Sequence, residues 1–321
     1  MEASATGVRG GRSALERSPL SRLPDQVMQW GLSALAALIL ILLAYFFIRL
    51  IGQSGNVFSK YGLSFVFGND WDVSRNIYHG AALVVGTLIT SAIALIIGVP
   101  VAVATALFIN ELCPRRLRGP FALLVDLLAA VPSVVYGLWG VFVLCPKLLP
   151  AEKWFAKTFS FIPFVGGGTP TLYNYFIAGL ILAIMILPIV SAIAREVIST
   201  VPAEHKEAAL ALGATRWEMI RIAVLPYSRS GITGGAMLGL GRALGETMAV
   251  TFVIGNAHKI SASIIAPGTT ISATIANEFT EAVGDLYTSS LIALGLILFV
   301  ITFFVLAAAR YMLLRIERRV G

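Results

Sequence analysis

The sequence predicts an all-α integral membrane protein, and three observations indicate this class. Hydrophobic residues make up 57% of the 321 residues, charged residues only 13%, and the mean hydropathy is +0.85. Soluble domains are nearer one-quarter charged. The apolar residues occur in blocks of about 20 or more, the length that a helix needs to cross about 30 Å of hydrocarbon. The alternation of apolar and polar residues that is typical of an outer-membrane barrel is not visible in the sequence.

Six transmembrane helices are predicted, because a backbone in lipid must satisfy its own hydrogen bonds. The predicted spans are residues 28–50, 80–110, 120–144, 173–195, 231–255 and 288–312. Pro132 removes a backbone donor in the third span and is expected to break it. The second span contains Pro100 and is long enough for tilt or an extension beyond the bilayer. Residues 1–25 are expected to form a disordered polar tail, and residues 26–321 the transmembrane domain.

The basic residues predict that both termini and the loop 196–230 face the cytoplasm, where loops carry an excess of Lys and Arg. They are Arg9, Arg12, Arg17, Arg22, Arg115, Arg116, Arg118, Arg195, Lys206, Arg216, Arg221, Arg229, Arg310, Arg315, Arg318 and Arg319. Their position between apolar blocks argues against a nucleic-acid binder, despite the net charge of +7. The loop 257–287 then lies on the outer side, and its amphipathic second half predicts a short helix folded back into the protein.

Cysteine and histidine usage predicts neither a disulfide nor a metal site. Cys113 and Cys145 are the only cysteines, and they lie near opposite ends of the third apolar block. His79, His205 and His258 are too scattered to form a metal cluster with either cysteine. The sequence also lacks a G-x-x-x-x-G-K-[ST] phosphate loop and any nucleophile–base constellation, so we do not expect an enzyme.

The loop 196–230 predicts a short helix–turn–helix that projects from the membrane. Strong helix formers occupy Ala203 to Leu212, and a second helical pattern follows from Thr215 to Val224. Gly213 permits a sharp change of direction between them, and Pro226 is expected to end the second helix. The residues alone leave two interpretations open, an amphipathic connector on the membrane surface or a rigid lever that docks into another protein.

The same loop resembles the signature of ABC-importer permeases, E-A-A-x-x-x-G-x(9)-I-x-L-P. The residues that match the signature are Glu207, Ala208, Ala209, Gly213, Leu225 and Pro226. Ala223 stands where the signature has isoleucine, and Ile222 is adjacent. The resemblance implies the type I (MetI-like) permease fold and a coupling helix that sits in a cleft of a separate ATPase subunit. It also implies that this partner uses ATP-Mg and that the chain itself binds no cofactor.

Arg242 and Glu246 are four residues apart in the fifth predicted span. A single charge at the bilayer centre costs roughly 2.5–3.5 kcal/mol on insertion scales. The two therefore form either a structural ion pair or part of a solute path. The planar donor fork of arginine suits an oxyanion. Phosphate retains a proton that it can donate to Glu246, whereas sulfate is fully deprotonated and is repelled. Asp126 is a third intramembrane acid, and it either pairs with Arg242 or caps a kinked helix.

Two segments resemble phosphate-specific ABC permeases, in the subunit usually called C. They are G-R-A-L-G-E-T-M-A-V-T-F-V-I-G-N at 241–256 and D-L-L-A-A-V-P-S-V-V-Y-G-L-W-G at 126–140. The resemblance extends over about residues 80–312, and it implies that Arg242 and Glu246 take part in phosphate passage. The partners that it implies are a second homologous permease, two ATPase subunits and an extracytoplasmic phosphate-binding protein, assembled in the bacterial inner membrane.

Glycines recur at spacings of four in the fifth predicted span, and such faces let helices approach closely. They are Gly231, Gly235 and Gly239, followed by Gly241 and Gly245. They pack either against the second permease subunit or against helices of this chain, and the sequence favours neither.

The sequence thus predicts the permease subunit of a phosphate importer, with two alternatives. A permease for another oxyanion, such as sulfate, molybdate or phosphonate, is disfavoured by Glu246. A self-sufficient secondary transporter or channel would use Arg242, Glu246 and Asp126 as a relay. It would predict an inverted internal repeat, which we do not find, and it leaves the segment 203–226 without a role.

Overall fold

Long helices dominate the computed structural model, which describes residues 23–162, 164 and 170–317. The α-helices are α1 Leu23–Gln53, α2 Gly55–Tyr61, α3 Ser64–Phe67, α4 Ala81–Leu107, α5 Arg115–Ala130, α6 Ser133–Trp139, α7 Cys145–Thr158, α8 Tyr175–Ser199, α9 Ala203–Ala211, α10 Arg216–Met219, α11 Leu225–Gly245, α12 Met248–Val253, α13 Ile271–Glu278 and α14 Asp285–Glu317. Three π-helical segments join them, Phe108–Leu112, Gly140–Leu144 and Ile220–Val224. The strands β1 Trp71–Asp72 and β2 Ile77–Tyr78 form an antiparallel hairpin.

Five helices of the described part are long and apolar enough to cross a membrane. They are Val27–Gln53, Ala81–Leu112, Ser133–Thr158, Tyr175–Ser199 and Asp285–Tyr311. The predicted count of six is not reproduced, because α11, which covers most of the fifth predicted span, is long enough but less apolar than these five helices. Two of the predicted spans are also interrupted. The chain breaks at Val131 and Pro132, within the predicted span 120–144, and the apolar helix continues instead to Thr158. The predicted span 231–255 is divided into α11 and α12 at Glu246 and Thr247.

The helix α1 belongs to a separate unit of the chain, Met1–Gly52. Large apolar side chains are exposed along it, among them Leu40 and Phe46, as expected of a helix whose solvent is lipid. The predicted tail 1–25 lies outside the described residues as far as residue 22, and α1 begins at Leu23. Arg318 and Arg319 lie outside the described residues as well.

Small residues bring α4, α8 and α11 close together at the centre of the second unit. A Cβ atom at Gly98 of α4 would lie 2.9 Å from Ile186 of α8, and one at Gly239 of α11 would lie 2.9 Å from Val190 of α8. Gly179 of α8 packs in the same way against Ile93. The antiparallel neighbours α8 and α11 therefore share one close-packed face.

Polar and aromatic side chains tie the hairpin to α13 and α14 at one end of this unit, called here the hairpin end. Glu278 Oε2 accepts hydrogen bonds from Trp71 Nε1 at 3.0 Å and from Tyr287 Oη at 2.7 Å. Its Oε1 lies 3.1 Å from His258 Nε2. Burial raises the pKa of Glu278, but the contacts with His258, Tyr287 and Trp71 outweigh burial and hold it below its usual range. The short helix predicted in the loop 257–287 is confirmed as α13.

The opposite end, called here the loop end, carries α9 and α10. Gly213 has a φ of +87° between these helices, a conformation that costs glycine little. Ala214 N–H donates to Ala209 O at 3.2 Å and Gly213 N–H to Leu210 O at 3.0 Å, the two bonds of a Schellman motif. The predicted turn at Gly213 is confirmed, because these bonds end α9 there.

A capping box begins the next helix. Thr215 N–H donates to Glu218 Oε2 at 2.7 Å, and Glu218 N–H donates to Thr215 Oγ1 at 3.3 Å. The bond from the Thr215 backbone lowers the pKa of Glu218, a fully exposed group. The T-x-x-E pattern at Thr215 is the local sequence signal for this helix start.

The prediction that Pro226 ends the second helix of the loop is wrong. The π-helical segment Ile220–Val224 continues from α10 directly into α11. In its wider geometry Leu225 N–H donates to Ile220 O, five residues back. Pro226 is the second residue of α11, so the proline is accommodated at the junction between the π-helical and the α-helical parts of one continuous helix.

Candidate functional site

Glu246 occupies the break between α11 and α12. Its backbone is extended, with φ −69° and ψ 133°, and its Oε1 lies 3.4 Å from Ala249 N, whose N–H donates to it. The carboxylate therefore lies at the start of α12, where unpaired backbone N–H groups favour a negative charge. Thr247 follows Glu246 and α12 begins at Met248, so the break is two residues long.

Arg242 faces Glu246 across the last turn of α11. Arg242 Nη2 lies 3.5 Å from Glu246 Oε2, and the exposed fraction of the side chain is 50% for Arg242 but 6% for Glu246. A guanidinium has five N–H donors and a carboxylate oxygen satisfies only one or two of them. Arg242 therefore balances the buried carboxylate and has further N–H donors that the carboxylate does not use.

A second interrupted helix packs against the first. Chain direction changes at Val131 and Pro132 between α5 and α6, and α6 packs against α12. At the contact, a Cβ atom on Gly137 would lie 3.2 Å from Ala249 Cα. Irregular backbone at membrane depth is tolerated where it is buried in protein or lines a cavity. The two adjacent breaks therefore mark the part of the molecule best suited to a solute path.

Asp126 is not brought to Arg242. It lies on α5 and forms an ion pair with Nη2 of Arg195 on α8. Neither predicted role, a partner of Arg242 or a cap of a kinked helix, is seen in the structure. From the sequence, Arg195 is only one of the basic residues that predict the orientation of the chain in the membrane. Its position at the end of an apolar run, four residues before the end of α8, is the sequence feature that could have indicated a partner for Asp126.

The residues of the permease signature lie at the loop end in different environments. Glu207 and Ala208 are exposed, whereas Ala209 is buried against a cluster that includes Ile198 and Ile220. Leu225 packs against the same cluster and Pro226 is exposed. One side of the loop is thus fixed to the helical bundle while its other side is open.

Large apolar side chains are exposed on the open side of the loop. They are Leu210, Leu212, Trp217 and Ile222, and Leu212 is 90% exposed. A group of exposed apolar residues of this kind is typical of a surface that another protein covers.

An ion pair connects α9 with the end of α4. Lys206 Nζ lies 2.6 Å from Glu111 Oε1, in the π-helical segment Phe108–Leu112, and both side chains are largely buried. The neighbouring residue Asn110 donates through Nδ2 to Arg195 O at 2.7 Å. A displacement of α9 would therefore act on both α4 and α8.

The five glycines of the fifth predicted span differ in their surroundings. Cβ atoms at Gly231 and Gly235 would lie 2.3 Å from Val197 and 3.2 Å from Ile193, both on α8. With Gly239, these glycines pack within this chain. Gly241 has only Leu306 within 4 Å and Gly245 has nothing within 4 Å, so a second subunit has access to the last turn of α11.

The described residues contain no cluster of side chains suited to binding a metal ion. No group of three or more His, Cys, Asp or Glu side chains that could hold a metal ion occurs among residues 23–162, 164 and 170–317. Cys113 and Cys145 are buried free thiols.

Comparison with known families agrees with this geometry. The model of the family described as "Binding-protein-dependent transport system inner membrane component" matches residues 98–318. This chain belongs to that family. It is therefore a multi-pass membrane protein and an inner membrane component of a transport system, as the sequence predicted.

Relatives are similar over nearly the whole chain. The "Phosphate transport system permease protein PstC" of Mesorhizobium japonicum is 52% identical over 98% of this chain and 97% of its own length. The protein of the same name in Pasteurella multocida is 46% identical over 89% and 90%. The "Probable phosphate transport system permease protein PstC" of Methanocaldococcus jannaschii is 39% identical over 82% and 84%.

Solved structures confirm the predicted fold class. A bacterial ABC transporter involved in the import of the acidic polysaccharide alginate aligns with a TM-score of 0.56 and 21% identity, over 92% of this chain and 99% of that chain. The MetNI methionine ABC transporter, in an inward-facing conformation, aligns with a TM-score of 0.50 and 15% identity, over 75% and 96%. At these identities the likeness shows the fold alone, which is that of ABC-importer permeases.

Proposed function

We propose that this chain is the transmembrane permease subunit of an ATP-binding-cassette importer for inorganic phosphate. It forms half of the translocation path and a second, homologous permease forms the other half. The names of relatives at 39–52% identity support the substrate. The observation that carries the proposal is the half-exposed Arg242 beside the buried Glu246, at a break between two helices.

The chemistry of this pair suits phosphate. Arg242 offers the donor fork that binds two oxygens of a tetrahedral anion. Glu246 accepts a hydrogen bond from the protonated oxygen that phosphate retains near neutral pH, and it repels sulfate, which has no proton to donate. Asp126 contributes to the path through its ion pair with Arg195, and not by contact with Arg242.

The loop end receives the force for transport from two ATPase subunits, which bind and hydrolyse ATP-Mg. The open surface with Leu212 and Trp217 is the part of the loop that docks into an ATPase cleft. The chain itself binds no cofactor and performs no catalysis. The loop end and both termini face the cytoplasm, in keeping with the basic residues near them.

Transport follows from the linkage between the two ends. A phosphate-binding protein delivers the anion at the hairpin end, and ATP binding draws the two ATPase subunits together. The loops move with them, and the path between the two permeases then opens to the other side. Because Gly231, Gly235 and Gly239 hold α11 against α8, these helices move as one body.

Reconstitution of the four-component complex with its binding protein tests the proposal. We expect phosphate uptake into proteoliposomes to require ATP on the side of the membrane where the ATPase subunits lie. Sulfate should be neither transported nor able to stimulate ATP hydrolysis. Equal uptake of sulfate would identify a permease for another oxyanion. Phosphate uptake by this chain alone, without ATPase, would identify a self-sufficient transporter.

A further inference from the structure

Two arginines line a cavity at the loop end. The cavity measures about 510 Å³ and lies between α5 and α8. Its charged lining residues are Arg118, Arg195 and Glu196. Guanidinium and carboxylate groups thus occur together here, as they do at Arg242 and Glu246, but with a second guanidinium, and this combination suits an oxyanion that retains a proton.

Arg195 has donors that the described residues do not use. Its side chain is 14% exposed, and Nη2 pairs with Asp126. Its Nε is buried and has no hydrogen-bond partner among the residues that the structure describes. An unsatisfied buried donor is costly, and a guanidinium that turned toward the cavity could bind two oxygens of one anion through Nε and Nη2.

The ion pair that holds Arg195 is able to open. Asp126 is 50% exposed, and it lies on α5, a helix with no buried residue. A carboxylate on a helix with no buried residue is displaced more readily than one in a core, because few packing contacts are lost when that helix moves. Movement of α5 would thus free Arg195 for another anion.

The contacts between α8 and α11 place Arg195 and Arg242 at different levels along these helices. Gly231 packs against Val197 and Gly235 against Ile193, so Arg195 lies level with about residue 233, near the middle of α11. From that level to Arg242 is about nine residues, or roughly 13 Å at 1.5 Å per residue. Arg195 is on the side nearer the loop end.

Side-chain contacts also connect the cavity to helix α9 at the loop end. Asn110, which lines it, donates to Arg195 O at 2.7 Å. The next residue, Glu111, forms the ion pair with Lys206 of α9. A displacement of α9 can therefore act on the residues around Arg195 through these contacts.

We propose that Arg195 and Arg118 form a second anion site, which holds phosphate between the Arg242 site and the cytoplasm, and that Asp126 occupies Arg195 when phosphate is absent. The proposal rests on the proposed function and adds a second binding site to the same path. Asp126 acts as a displaceable counter-ion, and release of phosphate follows when α5 brings it back to Arg195.

The test is the double substitution Asp126→Leu with Arg195→Met in the reconstituted complex. Replacing both members of an ion pair with apolar residues is often neutral for stability, so we expect assembly and the Tm of the complex to be retained. We expect kcat for phosphate uptake to fall at least 10-fold, with KM changed less than threefold because capture at the outer face is intact. An unchanged kcat would overturn the proposal and leave a purely structural pair.

A conservative variant covers the case in which the double variant fails to assemble. Arg195→Lys retains the charge and the pairing with Asp126 but loses the planar fork. We expect its kcat to fall at least fivefold at an unchanged Tm, and wild-type kcat would overturn the proposal. Arg116→Met is the matched control, since this exposed arginine lies on α5, the helix of Arg118 and Asp126, and does not line the cavity. It should retain wild-type kcat.

Lipid composition distinguishes free phosphate from a lipid headgroup. The kcat ratio of variant to wild type should be the same in phosphatidylcholine vesicles and in vesicles with added phosphatidylglycerol. A loss confined to the anionic vesicles would assign the arginines to lipid headgroups and overturn the proposal. Failure of the wild-type complex to import phosphate would refute the proposed function itself, whatever the variants do.

Discussion

At the scale of single residues, Glu246 has two neighbours with different demands. It accepts a hydrogen bond from Ala249 N–H and lies 3.5 Å from Arg242 Nη2. The first contact needs only an oxygen acceptor, and the second needs a negative charge to balance the guanidinium. These demands separate in a variant that retains the oxygen and loses the charge.

We therefore predict that Glu246→Gln assembles normally but loses discrimination. Gln retains an acceptor for Ala249 N–H, so α12 should begin as before. Without the carboxylate, nothing at the break repels sulfate, and the ratio of kcat/KM for phosphate over sulfate should fall at least 10-fold, equivalent to about 1.4 kcal/mol. Uptake and competition measurements in proteoliposomes check this.

Glu281→Gln is the control for that variant, because Glu281 is exposed and lies outside both interrupted helices. It should leave the ratio unchanged. If Glu246→Gln retains the phosphate preference of the wild type, the carboxylate does not select the solute and the pair is structural.

At the scale of elements, the turn between α9 and α10 depends on one backbone conformation. Gly213 has a φ of +87° and its N–H donates to Leu210 O. Proline is fixed near −65° and has no N–H. The Schellman bonds cannot form with proline at this position, so α9 cannot end there in its present direction.

Gly213→Pro should leave the chain inserted in the membrane while uncoupling ATP hydrolysis from transport. We expect phosphate uptake per ATP hydrolysed to fall at least fivefold, measured in the same proteoliposomes. Gly213→Asn is the matched control, because asparagine adopts positive φ more readily than other non-glycine residues and retains the N–H. Normal coupling in the proline variant would contradict the role of the turn.

A second element-level prediction concerns the hairpin end. The pKa of Glu278 is lowered in the folded protein, so the group contributes stability above its unfolded pKa of about 4.3. That contribution is lost as pH falls through the lowered folded pKa. We expect the protection factors for hydrogen exchange at residues 69–78, which are corrected for the intrinsic exchange rate at each pH, to fall as the pH drops below about 4.3.

Glu278→Gln isolates this effect. The amide oxygen still accepts from Trp71 and Tyr287, but the group no longer titrates. Protection factors at the hairpin should be lower than in wild type at pH 6 and nearly independent of pH below it. An acid-induced loss of protection equal to that of the wild type would assign the change to other groups.

At the scale of the whole molecule, α11 has one face within the chain and one available to a partner. A Cβ atom at Gly231 would lie 2.3 Å from Val197, whereas Gly245 has nothing within 4 Å. Gly231→Ala should therefore destabilise the isolated chain by about 1–3 kcal/mol through overpacking. Gly245→Ala should leave its Tm unchanged, measured by thermal unfolding in detergent.

If the second permease covers the last turn of α11, the two substitutions should affect assembly in the opposite order. Gly245→Ala should then weaken co-purification of the second permease, while any effect of Gly231→Ala should follow the stability of the single chain. Unimpaired pairing of the Gly245 variant would place the subunit contact elsewhere.

The features that the sequence predicted are those with local causes. The break at Pro132, the turn at Gly213 and the helix α13 each depend on residues within a few positions of each other. The pairing of Asp126 with Arg195 joins residues 69 positions apart, and the bond from Trp71 to Glu278 joins residues 207 apart. Such contacts are set by how helices pack, which no local pattern specifies.

The error at Pro226 has a related cause. Proline rules describe a regular α-helix, but the chain enters α11 through a π-helical segment. That geometry depends on the packing of Ile220 and Val224 against the cluster around Ile198. Local propensity was overridden there by tertiary packing.

The exposed apolar surface at Leu210, Leu212 and Trp217 also has a consequence for biosynthesis. An orphan copy, made in excess of its ATPase, would present this surface to cytoplasmic chaperones and proteases. Balanced synthesis of the subunits therefore protects the chain from degradation, and overproduction for purification should succeed best when the ATPase is co-expressed.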